Sequence, residues 1–123
     1  MRLWCQDLIP LLPRQQLLGQ HRECCALRGK GWGKPHSTVN YVFNYPKGLL
    51  FEYHKLVMQE MKDRGYKPNP VWSDMCYRGK SIGYDFTVTT SKKINTPIYP
   101  EHNQEYLEEC LENLKKKGID INV

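Results

Sequence analysis

Between positions 13 and 28, Leu17, Leu18, His21, Cys24 and Cys25 fall at spacings of one, four, seven and eight, the one-sided stripe of a helix laid on a core. Pro13 is tolerated in a first helical turn and Gly29 supplies a stop, so a helix over 13–28 is predicted. Its opposite side carries Gln16, Gly19, Gln20 and Glu23, with Arg22 at the edge. Glu23 is thus expected on a polar surface, beside two amides and a glycine that removes side-chain bulk.

A second helix, over 47–64, follows Asn44-Tyr45-Pro46 and stops at Gly65. It carries Leu50, His54, Val57 and Met61 on one stripe, flanked by Leu49, Tyr53 and Leu56. A third, over 100–117, turns Leu107, Cys110, Leu111 and Leu114 inward, with Glu101 and Glu105 near its positive end and Lys115 to Lys117 near its negative end. Residues 66–99 are rich in Pro, Gly, Ser, Thr and Tyr, and only Phe86-Thr87-Val88-Thr89 reads as a short extended piece. No repeat or linker divides the chain. The predicted architecture is all-α, one compact domain over 1–123 with about three main helices and long irregular connections.

A chain of 123 residues, 40% of them hydrophobic, has enough apolar material for one core. Disulfide staples are therefore not required. The five cysteines (Cys5, Cys24, Cys25, Cys76, Cys110) form no CxxC pair and are expected as reduced thiols, in keeping with a cytoplasmic setting. The apolar run from Leu8 to Leu12 is broken by Pro10 and is far shorter than the roughly 20 residues that span a bilayer, so no membrane partner is expected. Nothing near Pro13-Arg14-Gln15 resembles a leader cleavage site, and the mature chain is expected to begin near Met1.

The formal charge is +5, and it is uneven: residues 1–40 hold six cations and two anions, whereas 41–123 hold twelve and eleven. A basic amino-terminal end is the footprint expected for a polyanion such as nucleic acid. A basic protein of some other purpose, with incidental charge, stays open on this feature alone. Arg28-Gly29-Lys30-Gly31-Trp32-Gly33-Lys34-Pro35-His36 concentrates glycines, cations and an indole. Either its backbone amides and cations approach phosphates while Trp32 stacks on a base, or it is a turn with Trp32 folded onto the core. Its glycine spacing fits neither the P-loop nor the dinucleotide fingerprint. His21, Cys24, Cys25, His36 and His54 offer metal-ligand atoms, but adjacent helical cysteines diverge by about 100° and no C-x₂₋₄-C pair exists. Neither a metal nor an organic cofactor is expected. From the pattern alone, Glu23 is either an ion-pair partner of the basic surface or a catalytic carboxylate.

The run Arg2-Leu3, Gln15-Gln16-Leu17-Leu18 and His21-Arg22-Glu23 resembles the start of the pyrimidine dimer DNA glycosylases. Gly33-Lys34-Pro35-His36, the stretch from Lys55 to Tyr66 and Ile98-Tyr99-Pro100-Glu101 resemble later segments of that family in order. The resemblance implies a DNA repair enzyme acting on double-stranded DNA with damaged bases or abasic sites, nucleoid-associated when bound. It implies that the α-amine of Met1 attacks C1′ of the damaged nucleotide, expels the base and leaves an imine that undergoes strand-cleaving β-elimination. An α-amine titrates near 7.7–8.0 against about 10.4 for lysine, so roughly a tenth is neutral at pH 7. Neighbouring Arg2 and Arg22 are expected to lower it further.

By the same resemblance Glu23 is the catalytic carboxylate, Arg2 and Arg22 hold backbone phosphates, and Gln15 is a polar neighbour of the site. Gln16 stands where the family pattern has a histidine, and Ala26 where it has an arginine, with Arg28 the nearest replacement. The expected DNA contacts are therefore Arg2, Gln15, Gln16, Arg22, Arg28, Lys30, Trp32, Lys34 and His36. The rival reading on the same fold is a non-catalytic nucleic-acid-binding module.

Overall fold

The computed structural model describes residues 2–89 and 96–122. Three α-helices carry the fold: α1 (Arg14–Arg28), α2 (Lys47–Asp63) and α3 (Gln104–Lys116). Short 3₁₀ turns at Gln6–Leu11, Asn40–Asn44 and Pro70–Ser73 break the connections. The first of these includes Pro10, which a 3₁₀ turn tolerates because few of its amides need partners. Among the described residues there is no strand. Their sole β-type pairing is an isolated antiparallel bridge between Tyr77 and Tyr84, and 86–89 forms no extended partner.

α1 and α2 match the predicted spans within a residue. α3 begins four residues later than expected. Asn103 is the cause: its side chain accepts the Tyr106 N–H at 2.9 Å and caps the helix there. Glu101 is consequently outside the helix, where its carboxylate accepts the Tyr45 hydroxyl at 2.9 Å.

The inward stripe of α1 is Leu17, Gln20, Cys24 and Leu27, rotated from the one expected. Gln20 is 1% exposed, while His21 and Cys25 are half-buried. The reason is a non-helical amino-terminal strap, residues 2–5, that runs through the middle of the fold. Leu3 and Cys5 are buried in the core with Leu8, Leu12, Leu50, Tyr53, Val57, Cys110 and Leu114. Buried backbone outside a helix or sheet needs hydrogen-bond partners from elsewhere, and side chains of every helix supply them. Gln20 of α1 accepts the Trp4 N–H at 2.7 Å, and Tyr53 of α2 donates to the Trp4 carbonyl at 2.6 Å. Tyr106 of α3 donates to the Leu3 carbonyl, and Cys110 Sγ accepts the Cys5 N–H at 3.4 Å.

All five cysteines are free thiols. No helix among the described residues is long and apolar enough to cross a membrane.

Candidate active site

Glu23 and Gln20 lie one turn apart on the same face of α1, and the strap crosses directly over them. The Arg2 N–H donates to Glu23 Oε2 at 3.2 Å, and Gln20 Nε2 donates to the same oxygen at 3.3 Å and to the Arg2 carbonyl at 3.0 Å. Both polar groups of the Arg2 backbone are thereby fixed by α1. Beside them opens a recess of about 250 Å³ lined by Arg2, Trp4, Glu23, His36, Thr38, Asn113 and Lys117. One carboxylate faces two cations and an imidazole across it, an arrangement suited to holding an anion beside a group that handles protons.

The Arg2 guanidinium crosses to α3, where Nη1 meets Glu109 Oε2 at 2.8 Å and the cation lies 5.7 Å from the Tyr106 ring centre. Partial burial counts against its charge, but the Glu109 contact and Tyr106 hold its pKa above the ordinary arginine value. His36 lines the recess from the glycine-rich loop, its backbone N–H on Asn40 Oδ1 at 2.7 Å and its Nδ1 3.0 Å from the Thr38 hydroxyl. Met1 lies outside the described residues.

The remaining expected contacts divide. Arg22, Lys30 and Lys34 are exposed, as is Gln15, while Gln16 is half-buried in the first turn of α1. None of these five lines the recess. Trp32 is half-buried on the core, edge-on to Phe43 at 5.1 Å with Lys47 Nζ 5.8 Å from its ring, so it takes the folded-back form of the two open readings.

Arg28 is corrected outright. Expected at the DNA surface, it is 5% exposed, and its guanidinium donates to the carbonyls of Trp72, Asp74 and Tyr77 at 2.7–3.1 Å. The Phe51 and Trp72 rings flank it at 5.1 and 5.0 Å. An irregular segment with buried carbonyls needs donors, and the five N–H groups of one guanidinium serve three of them from a single position.

The glycines of the same loop also have structural reasons. A Cβ on Gly31 would stand 2.7 Å from the Ala26 carbonyl oxygen, and one on Gly29 would stand 2.9 Å from that of Arg78. The amides of Gly29, Gly31, Trp32 and Lys34 are bonded to carbonyls of α1 or of the loop itself. Those four amides are therefore not presented to a phosphate, and the loop's exposed offering is the ammonium groups of Lys30 and Lys34 and the His36 imidazole.

His21, Cys25 and His54 come together, although their sequence spacing did not suggest it: His21 Nδ1 lies 2.8 Å from His54 Nε2, and Cys25 Sγ lies 3.9 Å from the latter. The donor chemistry does not suit a metal. Arg28 Nη1 donates to His54 Nδ1 at 3.0 Å, so the His54 proton sits on Nε2 and points at His21. A metal on Nε2 would move that proton to Nδ1, against a guanidinium donor, where ligating histidines ordinarily have an acceptor. Burial and the Arg28 charge hold the His54 pKa well below the usual histidine value, which keeps the pair neutral.

Sequence reasoning placed Gln20 on the face of Glu23 but not in the site, and missed Asn113 and Lys117. The signal for Gln20 was its place three residues before Glu23, a spacing that puts both on one helical face. Asn113 and Lys117 join the site only through the packing of α3, which no local pattern reveals. The family model described as pyrimidine dimer DNA glycosylase matches residues 1–74, which take in the strap, α1, the glycine-rich loop and α2. Neither the curated proteins nor the solved structures contain a match.

Proposed function

Because the chain belongs to the pyrimidine dimer DNA glycosylase family, we propose that it excises the damaged base through the α-amine of Met1 and then nicks the abasic strand as a lyase. The amine lone pair attacks C1′ and the bond to the base breaks. Loss of a proton from nitrogen and opening of the sugar ring give an imine. Removal of a C2′ proton then expels the 3′ phosphate by β-elimination. Glu23 stabilises positive charge developing at the sugar and carries the protons of the imine and elimination steps. The substrate is duplex DNA bearing pyrimidine dimers or abasic sites, with the damaged nucleotide extruded, since C1′ is obstructed inside an intact stack.

The observation that supports this reading is the Arg2 N–H on Glu23 Oε2 at 3.2 Å. The α-nitrogen of Met1 is three covalent bonds from that amide nitrogen, so holding the Arg2 amide on Glu23 tethers the proposed nucleophile to the carboxylate. Arg2, His36 and Lys117 around the recess supply positive charge and donors for the phosphates flanking the extruded sugar. Arg22, Lys30 and Lys34 extend the cationic surface that receives the rest of the duplex. In the cell the protein acts in the cytoplasm, at the DNA.

The test is borohydride trapping on an abasic or irradiated duplex, with an untagged chain whose amino terminus is verified by mass. A reduced adduct mapping to the first peptide, abolished when the α-amine is blocked, is expected. Binding with no adduct on either substrate would leave the non-catalytic module.

A further inference from the structure

Gln20 uses all of its hydrogen-bonding capacity at one point of the chain. Oε1 accepts the Trp4 N–H at 2.7 Å and the Tyr53 hydroxyl at 2.9 Å, while Nε2 donates to the Arg2 carbonyl at 3.0 Å and to Glu23 Oε2 at 3.3 Å. A primary amide has two acceptor lone pairs and two donor hydrogens, and here each has a partner. At 1% exposure water does not compete for them. Nothing in helix propensity or apolar packing calls for an amide on the inward stripe of α1, where its neighbours are Leu17 and Cys24.

We propose that Gln20 is a positioning residue for the reaction, fixing the Arg2 backbone that carries the first residue's amine against the Glu23 carboxylate. The proposal rests on the assignment of Met1 and Glu23 made above. Gln20 joins the two halves of that site: one end of its amide holds the backbone of residues 2 and 4, and the other end holds the carboxylate. Glu23 Oε2 is held from two sides, by the Arg2 N–H and by Gln20, which orients one oxygen toward the strap. Tyr53 is the second support, since its hydroxyl reaches both the Trp4 carbonyl and Gln20 Oε1. Catalysis by an amine and a carboxylate is sensitive to displacements of about 1 Å, so releasing the clamp costs rate before it costs affinity.

Neither methionine nor glutamate at position 20 performs this task. Methionine keeps the length but has neither donors nor a strong acceptor. Glutamate accepts from Trp4 and Tyr53 but cannot donate while ionised, and it puts a second carboxylate within reach of Glu23. Two carboxylates so close share a proton and titrate as a pair at higher pH. The other charged or titratable groups around Glu23 include Arg2 on the strap, His36 on the loop, Lys117 after α3 and the buried Cys24 on α1.

The experiment measures single-turnover excision, imine trapping and duplex affinity for the parent, Gln20→Met, Gln20→Glu, Tyr53→Phe and Glu23→Gln, each across pH. Gln20→Met is expected to slow imine formation about 100-fold with Kd within threefold of the parent. Tyr53→Phe is expected to slow it about tenfold. Gln20→Glu is expected to move the acid limb of the pH–rate profile upward by one unit or more. A merely structural Gln20 would lower stability in Gln20→Met while leaving imine formation at saturating protein at the parental rate. Parent-like rates in Gln20→Met, or an unmoved limb in Gln20→Glu, overturn the clamp. Should Gln20→Met fail to fold, the Tyr53→Phe rate at saturating protein decides the matter, a parental rate overturning the clamp. A parent that forms no adduct at its first peptide takes down the amine assignment and the clamp with it. A parent that does so, alongside Gln20 variants of equal rate, removes the clamp alone.

Discussion

Arg28 Nη1 stands 3.0 Å from His54 Nδ1, an arginine and a histidine from two packed helices in contact beneath the surface. The contact is stable because the imidazole is neutral and presents a lone pair to the cation. Arg28 thus joins α1 to α2 and, through the carbonyls of Trp72, Asp74 and Tyr77, to the irregular segment beyond α2. Arg28→Met removes the guanidinium, keeps most of the stem, and takes their donor from the Trp72 and Tyr77 carbonyls and a ring nitrogen, while the Asp74 carbonyl keeps the Tyr77 N–H. A loss of about 3–5 kcal/mol is expected, by analogy with breaking a buried charged network. Urea unfolding measures it. The slope of DNA affinity against salt is expected to stay at the parental value, which a phosphate contact at this position would not allow.

Glu23→Gln keeps an acceptor for the Arg2 N–H but removes the negative charge and the proton-carrying capacity. Excision and trapping are expected to fall by about 10²–10⁴-fold, with Kd for uncleaved duplex changed less than about threefold. Comparable turnover in the variant would remove Glu23 from the chemistry.

Acid should destabilise the fold through its buried histidines. Burial lowers the His102 pKa to about 4, and Gln6 N–H donates to its Nδ1 at 3.1 Å, an interaction that requires the neutral ring. An unfolded histidine titrates near 6.5, so between about pH 6.5 and pH 4 the unfolded chain binds the extra proton and stability falls as pH falls. His102 alone contributes on the order of 3 kcal/mol to that loss, and His54, also depressed, adds in the same direction. Thermal unfolding across this window checks it: His102→Gln is expected to lower stability at pH 7 and to flatten the decline toward pH 4.

The helices were legible because their signals are local. Pro13 and Gly29 bracket α1, Gly65 follows α2, and the apolar stripes of α2 and α3 are those found buried, apart from Leu49 and Leu111, which are half-buried, and Leu56, which is exposed. What escaped was the reason for a polar residue to be inside. Apolar periodicity treats glutamine and arginine as outward by default, whereas Gln20 and Arg28 are inside to serve carbonyls and amides of segments outside the α-helices. Those segments, residues 2–5 and 72–77, carry no apolar period from which their path could be read. The site was legible to the extent that Arg2 and Glu23 were named and are in contact. Its far wall, Asn113 and Lys117, depends on how α3 docks.

Gly31 tests whether the glycine-rich loop is built for packing. A methyl at Gly31 would meet main-chain atoms of α1, the Ala26 oxygen at 2.7 Å and the Leu27 Cα at 3.3 Å, which cannot rotate away. Gly31→Ala is expected to cost about 1–3 kcal/mol. At Gly33, where a Cβ meets nothing within 4 Å but φ is +76°, alanine is expected to cost less, about 1 kcal/mol, from backbone strain alone. Equal effects would mean that the clash is relieved by movement of the loop.

Lys30 and Lys34 separate the loop's two contributions. Both ammonium groups are exposed, so their removal should leave the fold within about 0.5 kcal/mol of the parent. If each ammonium neutralises a phosphate, deleting it lowers the slope of log affinity against log salt by about 0.9. The double variant Lys30→Ala, Lys34→Ala is then expected to show a slope smaller by about 2, together with weaker binding at low salt that is nearly independent of sequence. Single-turnover excision at saturating protein should remain near the parental rate, because neither lysine lines the recess at Glu23. A reduced saturated rate with an unchanged salt slope would instead place the lysines at the chemistry and take them off the duplex.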